Sequence, residues 1–102
     1  MGLSIALEDE EGMRIDSVED PTNCLHRLLP SADDLGSRAL RYVDWYGDTV
    51  FNRRQIEDVL DEFGLLLNKT KCNSEKELIN RIISLAKMCR KGPHLYLKFY
   101  GD

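Results

Sequence analysis

The sequence predicts a small α+β domain, and three observations carry this prediction: the length, the composition and the order of the hydrophobic patterns. The chain has 102 residues, which suit one domain over residues 1–102 with a core of its own. It is 42% hydrophobic and 31% charged, a composition typical of a folded globular protein rather than a disordered one. The patterns follow the order β-β-α-β-α-α-β, which favours a two-layer sandwich of about four strands in one sheet with the helices mainly on one face.

Two strands and a tight turn are predicted at the start of the chain. Apolar and polar residues alternate over residues 3–7 and again over residues 13–15, the period expected of half-buried strands. Residues 10–12 between them, Glu-Glu-Gly, predict a β-hairpin in which Gly12 takes a positive φ.

A short helix and a third strand are predicted next. Asp20 followed by Pro21 is typical of a helix start, with the aspartate as N-cap and the proline at the first helical position, and Pro30 ends this helix. Residues 38–44 carry apolar side chains in imperfect alternation and predict the third strand. Residues 45–48 predict the turn that follows it.

Two longer helices and a last strand complete the predicted fold. Asn52 with Gln55, and Ser74 with Glu77, each form a capping-box pattern ahead of an apolar helical stripe. The second helix is predicted to end over the Arg-Lys-Gly-Pro run, after which the chain shows its clearest strand alternation, up to Phe99. The two stripes consist of Ile56, Val59, Leu60, Phe63 and Leu67 in the first helix, and of Leu78, Ile82, Leu85, Ala86 and Cys89 in the second.

Charge is divided unevenly along the chain. Residues 1–62 hold 15 acidic and 6 basic side chains, whereas residues 63–102 hold 3 acidic and 8 basic ones, so the two parts carry net charges of −9 and +5. Because charged side chains stay mostly at the surface, this separation predicts an acidic face and a basic face. An acidic face repels nucleic acid and speeds the docking of basic proteins. Solubility alone is an equally good explanation of the acidic residues.

The sequence shows no targeting segment and no disulfide framework. No apolar run approaches the roughly 18 residues of a membrane span, and the first residues lack the basic start of a secretory signal. The three cysteines, Cys24, Cys72 and Cys89, cannot all pair internally and show no metal-ligand spacing. These features predict a cytoplasmic protein without a membrane partner.

No motif of catalytic chemistry stands out in the sequence. The two histidines, His26 and His94, belong to no metal-binding or nucleophile–base spacing, and the glycines form no phosphate-binding loop. Ordinary structural roles are expected for the histidines and the cysteines, and no metal or other cofactor is expected. We therefore expect a protein that is not an enzyme, although a catalytic triad built by spatial convergence stays open.

The most distinctive segment is the predicted turn, where the single tryptophan and a tyrosine stand between two carboxylates. Aromatic rings bury large areas at small entropic cost and carboxylates bind Arg or Lys, so the segment suits recognition of a basic protein. Tyr46 is expected to be exposed beside Gly47, the flexible point of the turn, whereas Trp45 fits exposure and a place in the core equally well. Acidic side chains of the next helix predict a solvated ridge that extends this surface. The candidate partner-binding residues are Asp44, Trp45, Tyr46, Asp48, Glu57, Asp58, Asp61 and Glu62.

Two runs of the chain resemble segments of small acidic bacterial proteins of about this length. They are residues 41–52, RYVDWYGDTVFN, and residues 93–102, PHLYLKFYGD. The proteins they resemble are similar to immunity proteins, which are encoded beside bacterial toxins and bind and block the toxin in the producing cell. The resemblance implies an inhibitor that acts by occlusion, and it assigns no catalytic residue.

The leading hypothesis is therefore an immunity protein that covers the active site of a basic toxin domain, of nuclease type, with an acidic and aromatic surface. One alternative is a small enzyme or ligand-binding domain with a pocket near His94, Tyr96, Tyr42 and Asp44, which converge if the third and last strands pair. Another is a regulatory interaction module whose partner is not a toxin. An edge strand, with the last strand as the candidate, offers a contact for a homodimer.

Overall fold

The computed structural model describes residues 3–101, which form a four-stranded antiparallel sheet, three α-helices and a 3₁₀-helix. The predicted order β-β-α-β-α-α-β is confirmed. Met1, Gly2 and Asp102, the last of which closes the second resembling run, lie outside the described residues. The elements are β1 (Ser4–Asp9), β2 (Arg14–Glu19), α1 (Leu25–Leu28), the 3₁₀-helix (Leu40–Tyr42), β3 (Asp48–Phe51), α2 (Ile56–Lys69), α3 (Asn73–Lys91) and β4 (Leu95–Tyr100).

The last strand lies in the middle of the sheet. The strands follow the order β2-β1-β4-β3, and β4 pairs with β1 on one side and with β3 on the other. The expectation that the last strand is an edge open to a second copy is therefore wrong, and the edges are β2 and β3. Leu97 and Phe99 of β4 point into a core shared with α2 and α3 and are fully buried.

The β1–β2 hairpin forms as predicted and contains a bulge. Gly12 has a φ of 83°, and the Asp9 carboxylate accepts hydrogen bonds from two backbone N–H groups of the turn, both at 2.9 Å. The pairing register shifts between Leu7 and Glu8, which leaves Ile15 of β2 as the extra residue of a bulge. A bulge in an edge strand discourages another strand from adding there.

The third strand is predicted in the wrong place. Residues 38–44 contain the 3₁₀-helix, and β3 begins only at Asp48. The physical reason is a distant carboxylate, because Glu62 of α2 accepts hydrogen bonds from the backbone N–H groups of residues 38–40. These N–H groups are satisfied by a side chain and do not enter a sheet ladder. The predicted turn lies over residues 45–47 and leads directly into β3.

The first helix begins later than predicted. α1 starts at Leu25, and Pro21 lies in a turn ahead of it rather than in the first helical position. Asp20 is therefore not the N-cap, but its carboxylate accepts the N–H groups of Cys24 and Leu25, each at 2.9 Å. It thus satisfies two donors near the start of the helix. Pro30 follows the helix end, as predicted.

One of the two predicted capping boxes is confirmed. Asn52 Oδ1 accepts the N–H of Gln55 at 3.1 Å, and Gln55 Oε1 accepts the N–H of Asn52 at 2.9 Å, so the first box is present ahead of α2. The box of Ser74 and Glu77 is wrong, because α3 already begins at Asn73 and Ser74 lies inside its first turn.

The end of α3 is confirmed, but its glycine has a different role. α3 ends at Lys91, and Gly92 has a φ of −106° rather than the left-handed conformation common after a helix. A Cβ at Gly92 would lie 2.3 Å from Leu95 Cδ1. The absence of a side chain therefore leaves room for Leu95 to fold back against the chain as it enters β4.

Two buried carboxylates join parts of the fold that are distant in sequence. Glu8 accepts a hydrogen bond from the Tyr100 hydroxyl across the sheet. Glu75 of α3 accepts one from the Thr70 hydroxyl and pairs with Arg27 of α1, and these contacts lower the pKa of Glu75 from its ordinary value. Because this pKa is depressed in the folded state, the Glu75 contacts stabilise the fold at neutral pH and lose their contribution as the carboxyl group protonates in acid.

Candidate functional site

The turn over residues 44–48 is held by hydrogen bonds at its base. Asp44 Oδ1 accepts the backbone N–H of Tyr46 at 2.9 Å, and the backbone N–H of Asp44 donates to Thr49 Oγ1 at 2.8 Å. An aspartate that bonds the backbone two residues ahead is a common way to fix a tight turn. The turn therefore has a defined shape before any partner binds.

Two glycines let other groups approach this turn closely. A Cβ at Gly47 would lie 2.7 Å from Asp44 Oδ2, and a Cβ at Gly101 would lie 2.5 Å from the backbone carbonyl of Trp45. The N–H of Gly101 also donates to the carbonyl of Gly47 at 2.7 Å. The chain after β4 thus packs on the turn, and Gly47 provides space rather than flexibility.

The two aromatic rings of the turn point in different directions. Trp45 is half-buried against the core, and its ring lies steeply inclined to that of His26 with the centroids 5.0 Å apart. Tyr46 is 86% exposed, as expected from the sequence. A half-buried tryptophan fixes the turn to the body of the domain, so that Tyr46 projects from a rigid support.

Three of the six predicted acidic side chains are paired with cations. Asp48 Oδ2 lies 3.8 Å from Lys98 Nζ, Glu57 Oε1 lies 3.3 Å from Arg90 Nη1, and Asp58 Oδ1 lies 3.9 Å from Arg38 Nη1. Such exposed pairs contribute little stability, but each cation offsets the charge that its carboxylate offers a partner. Asp61 is exposed, and among residues 3–101 no ion pair joins it to a cation.

Glu62 is a structural residue rather than part of a solvated ridge. Its Oε2 accepts the N–H groups of Arg38 at 3.1 Å and of Ala39 at 2.8 Å. Its Oε1 accepts the N–H of Leu40 at 3.3 Å and the hydroxyl of Ser37. With four donors around it, this carboxylate fastens the segment ahead of the turn to α2 and has little capacity left for a partner.

The alternative pocket is not assembled. His94 lies at the start of β4, where its Nδ1 is 3.3 Å from Glu10 Oε2 of the β1–β2 turn. Asp44 lies at the other end of β4, because its carbonyl oxygen would be 2.7 Å from a Cβ at Gly101. The six residues of β4 separate His94 from Gly101, a distance of roughly 20 Å in extended chain. Tyr42 is exposed in the 3₁₀-helix. Because β3 begins only at Asp48, residues 38–44 do not pair with β4, and the strand contact that this pocket needs is absent.

A cleft that the sequence did not indicate lies between α2 and the loop that follows α1. Its volume is about 340 Å³, and its lining includes Leu28, Leu40, Leu65 and Leu66, with Glu62 and Lys69 among its polar residues. The cleft forms because the loop after α1 folds back onto Glu62, and no pattern in the sequence predicts that contact. The one available signal is Leu65, an apolar residue that falls outside the buried stripe of α2 and is 59% exposed.

Two kinds of feature are absent from the part of the chain that the structure describes. Among residues 3–101, no group of three or more His, Cys, Asp or Glu side chains is placed to hold a metal ion. In the same part of the chain, no helix combines the length and the apolar character needed to cross a bilayer.

The three cysteines differ in their surroundings. Cys72 is exposed at the start of α3, where its Sγ lies 3.0 Å from Ser74 Oγ, and this hydrogen bond together with nearby backbone N–H groups lowers the pKa of its thiol. Cys24 and Cys89 are buried, and burial raises the pKa of Cys89 to about 11.

We expect iodoacetamide to alkylate Cys72 well before the buried cysteines, because the thiolate is the reacting species and Cys72 combines access with a lowered pKa. Mass spectrometry of the native protein over time checks this order, and Cys72→Ser removes the fast phase. Modification of Cys89 at a similar rate would show that the α3–β4 region opens readily.

Comparisons of the chain with protein-family models, with curated proteins and with solved structures find no match.

Proposed function

We propose that this chain is a non-enzymatic, cytoplasmic inhibitor that binds a basic protein, and that it acts as an immunity protein against a bacterial toxin of nuclease type. The observation that carries the proposal is the placement of Tyr46, which is 86% exposed at the tip of a turn fixed by Asp44 and backed by Trp45. A rigid, exposed tyrosine loses little entropy on binding and is a common centre of a protein interface.

The carboxylates beside Tyr46 specify the chemistry of the partner. Asp44 and Asp48 flank Tyr46 in the chain, and Asp44 keeps one carboxylate oxygen that accepts no hydrogen bond within the turn, whereas Asp48 is shared with Lys98. Arg or Lys side chains of a partner can bind there while an apolar surface covers the ring. The net charge of −9 on residues 1–62 attracts a basic partner from a distance.

A nuclease active site suits this description. Such a site must attract phosphate and therefore presents Arg and Lys side chains around its cleft. An acidic, aromatic protrusion can occupy the cleft without undergoing any reaction. Among the candidate residues, we assign the direct contact to Asp44 and Tyr46 of the turn. Glu62 serves the fold, and Asp48, Glu57 and Asp58 each face a cation of their own.

We expect Tyr46→Ala to weaken binding to the cognate toxin by roughly 30-fold, the effect of losing a central tyrosine in an interface. The toxin is taken as the product of the reading frame beside this gene, prepared as an inactive variant, and affinity is measured by calorimetry. Met13→Ala removes a comparably exposed apolar side chain from the β1–β2 turn and should change affinity less than about twofold.

The same pair of proteins should also associate more slowly as salt is raised, since counterions screen the attraction. Protection of cells from the active toxin by the wild-type chain, reduced by Tyr46→Ala and kept by Met13→Ala, would support the proposal. Equal affinities of the two variants would place the contact elsewhere. Failure of the wild-type chain to bind the neighbouring gene product would overturn the function.

A further inference from the structure

A second ridge on α2, distinct from the acidic ridge predicted above, carries an acidic, an apolar and a basic side chain in one row. Asp61, Leu65 and Lys69 are spaced four residues apart, so they form one row along the helix about 12 Å long. All three side chains are exposed, and Leu65 is 59% exposed. Among residues 3–101, no ion pair engages Asp61 or Lys69, unlike Glu57 and Asp58 one or two turns earlier.

The ridge borders the cleft between α2 and the loop that follows α1. The cleft of about 340 Å³ is lined by four leucines, by Pro30 and Gly36, and by the polar residues Asp34, Ser37, Glu62 and Lys69. The leucines are Leu28, Leu40, Leu65 and Leu66. A leucine side chain that entered this cleft would contact other leucines on both sides. The molecule thus presents an apolar knob beside a cleft that is lined in part by leucines.

We infer that this surface binds a second copy of the chain, with α2 antiparallel to α2 and Leu65 of each copy in the cleft of the other. A two-fold axis near Leu65 brings Asp61 of each copy beside Lys69 of the other copy. The charge order of the ridge, negative, apolar, positive, is therefore complementary to itself when one copy is turned around. Rows of residues spaced by four pack against each other in the commonest class of helix pair, in which the two ridges run side by side.

The chemistry of the ridge favours a second copy over an unrelated protein. A basic partner would be attracted by Asp61 but repelled by Lys69, and an acidic partner would meet the opposite conflict. Only a surface with both charges in reverse order satisfies both ends, and a two-fold copy supplies that order. The sheet edges are less suitable, because β2 carries a bulge and β3 has only 4 residues.

This interface is separate from the turn over residues 44–48, so the self-association and the binding of a toxin can fail independently. The contact is small, and a weak dimer that depends on protein concentration is expected. Its ion pairs are exposed to solvent, so added salt should reduce the association without removing the contribution of the leucines.

The test is a charge exchange across the proposed two-fold axis. The weight-average mass of the full chain is measured by sedimentation from about 10 μM to about 1 mM, the range in which weak contacts become populated. The wild-type chain should rise from the monomer mass of 11.8 kDa towards twice that value. Asp61→Lys and Lys69→Asp should each weaken association more than about tenfold, because each places like charges together.

The double variant, Asp61→Lys with Lys69→Asp, restores opposite charges at both ends and should recover association to within about threefold of wild type. Leu65→Ser should abolish the dimer, whereas Met13→Ser, at another exposed apolar residue, should leave it unchanged. Circular dichroism confirms that each variant is folded. A wild-type chain that stays monomeric at the highest concentration, or a double variant that associates no better than the single ones, would overturn the inference.

Discussion

Replacing Phe99 by alanine is expected to lower the free energy of unfolding by about 3–5 kcal/mol, the cost of removing a large buried aromatic side chain. Phe99 lies in the central strand β4 and is 0% exposed. Its ring centroid is 5.6 Å from that of Phe51 on β3, edge to face, and 6.4 Å from that of Phe63 on α2, nearly parallel. The substitution therefore opens a cavity where the sheet meets the helical layer.

Urea unfolding followed by circular dichroism measures this change. A domain of this size has roughly 5–15 kcal/mol of stability, so Phe99→Ala could leave too little folded protein for a full curve. Phe99→Leu keeps most of the volume and should cost about 1–2 kcal/mol, which keeps the measurement possible. Leu35→Ala, at an 85% exposed loop position, should stay within about 0.5 kcal/mol of wild type. A similar loss in Leu35→Ala and Phe99→Leu would contradict the central place of Phe99.

The local parts of this fold could be predicted because their signals are local. Alternation over residues 95–99 predicts β4, Gly12 predicts the hairpin turn, and the Asn52–Gln55 pair predicts the start of α2, each from a few neighbouring residues. The strand order has no such signal. Placing β4 between β1 and β3 depends on which apolar faces meet across the sheet, a property of the whole core.

In the candidate site, too, the features set by neighbouring residues could be predicted, and the contacts between distant segments could not. A turn with an aromatic residue between aspartates predicts an exposed Tyr46, and the turn supplies its own hydrogen bonds. For the predicted acidic ridge, Glu57 and Asp61 are exposed and Glu62 is not. Helical periodicity shows which side chains of a helix face outward, but not which groups of other segments will face them. Arg38, Arg90 and the N–H groups of residues 38–40 meet the ridge only after folding.

Replacing Glu62 by alanine is expected to destabilise the fold by about 2–3 kcal/mol, although the sequence places this residue on a solvated helix face. Its carboxylate accepts hydrogen bonds from the hydroxyl of Ser37 and from the backbone N–H groups of residues 38–40. Two of those N–H groups belong to Ala39 and Leu40, which are almost fully buried. Without the carboxylate, these donors lose their partner and the segment must open to water or remain unsatisfied.

Glu62→Gln separates the role of charge from that of shape. The amide keeps one oxygen acceptor and turns the other position into a donor that faces N–H groups, so it should cost nearly as much as alanine. Glu77→Ala, an exposed glutamate on α3, should change the stability by less than about 0.5 kcal/mol. Hydrogen exchange gives the local test, because the amides of residues 38–40 should lose protection in both Glu62 variants before those of β4 do. If both variants match Glu77→Ala in stability and in the exchange of these amides, Glu62 does not hold the segment. The third strand would then be missing from residues 38–44 for some other reason.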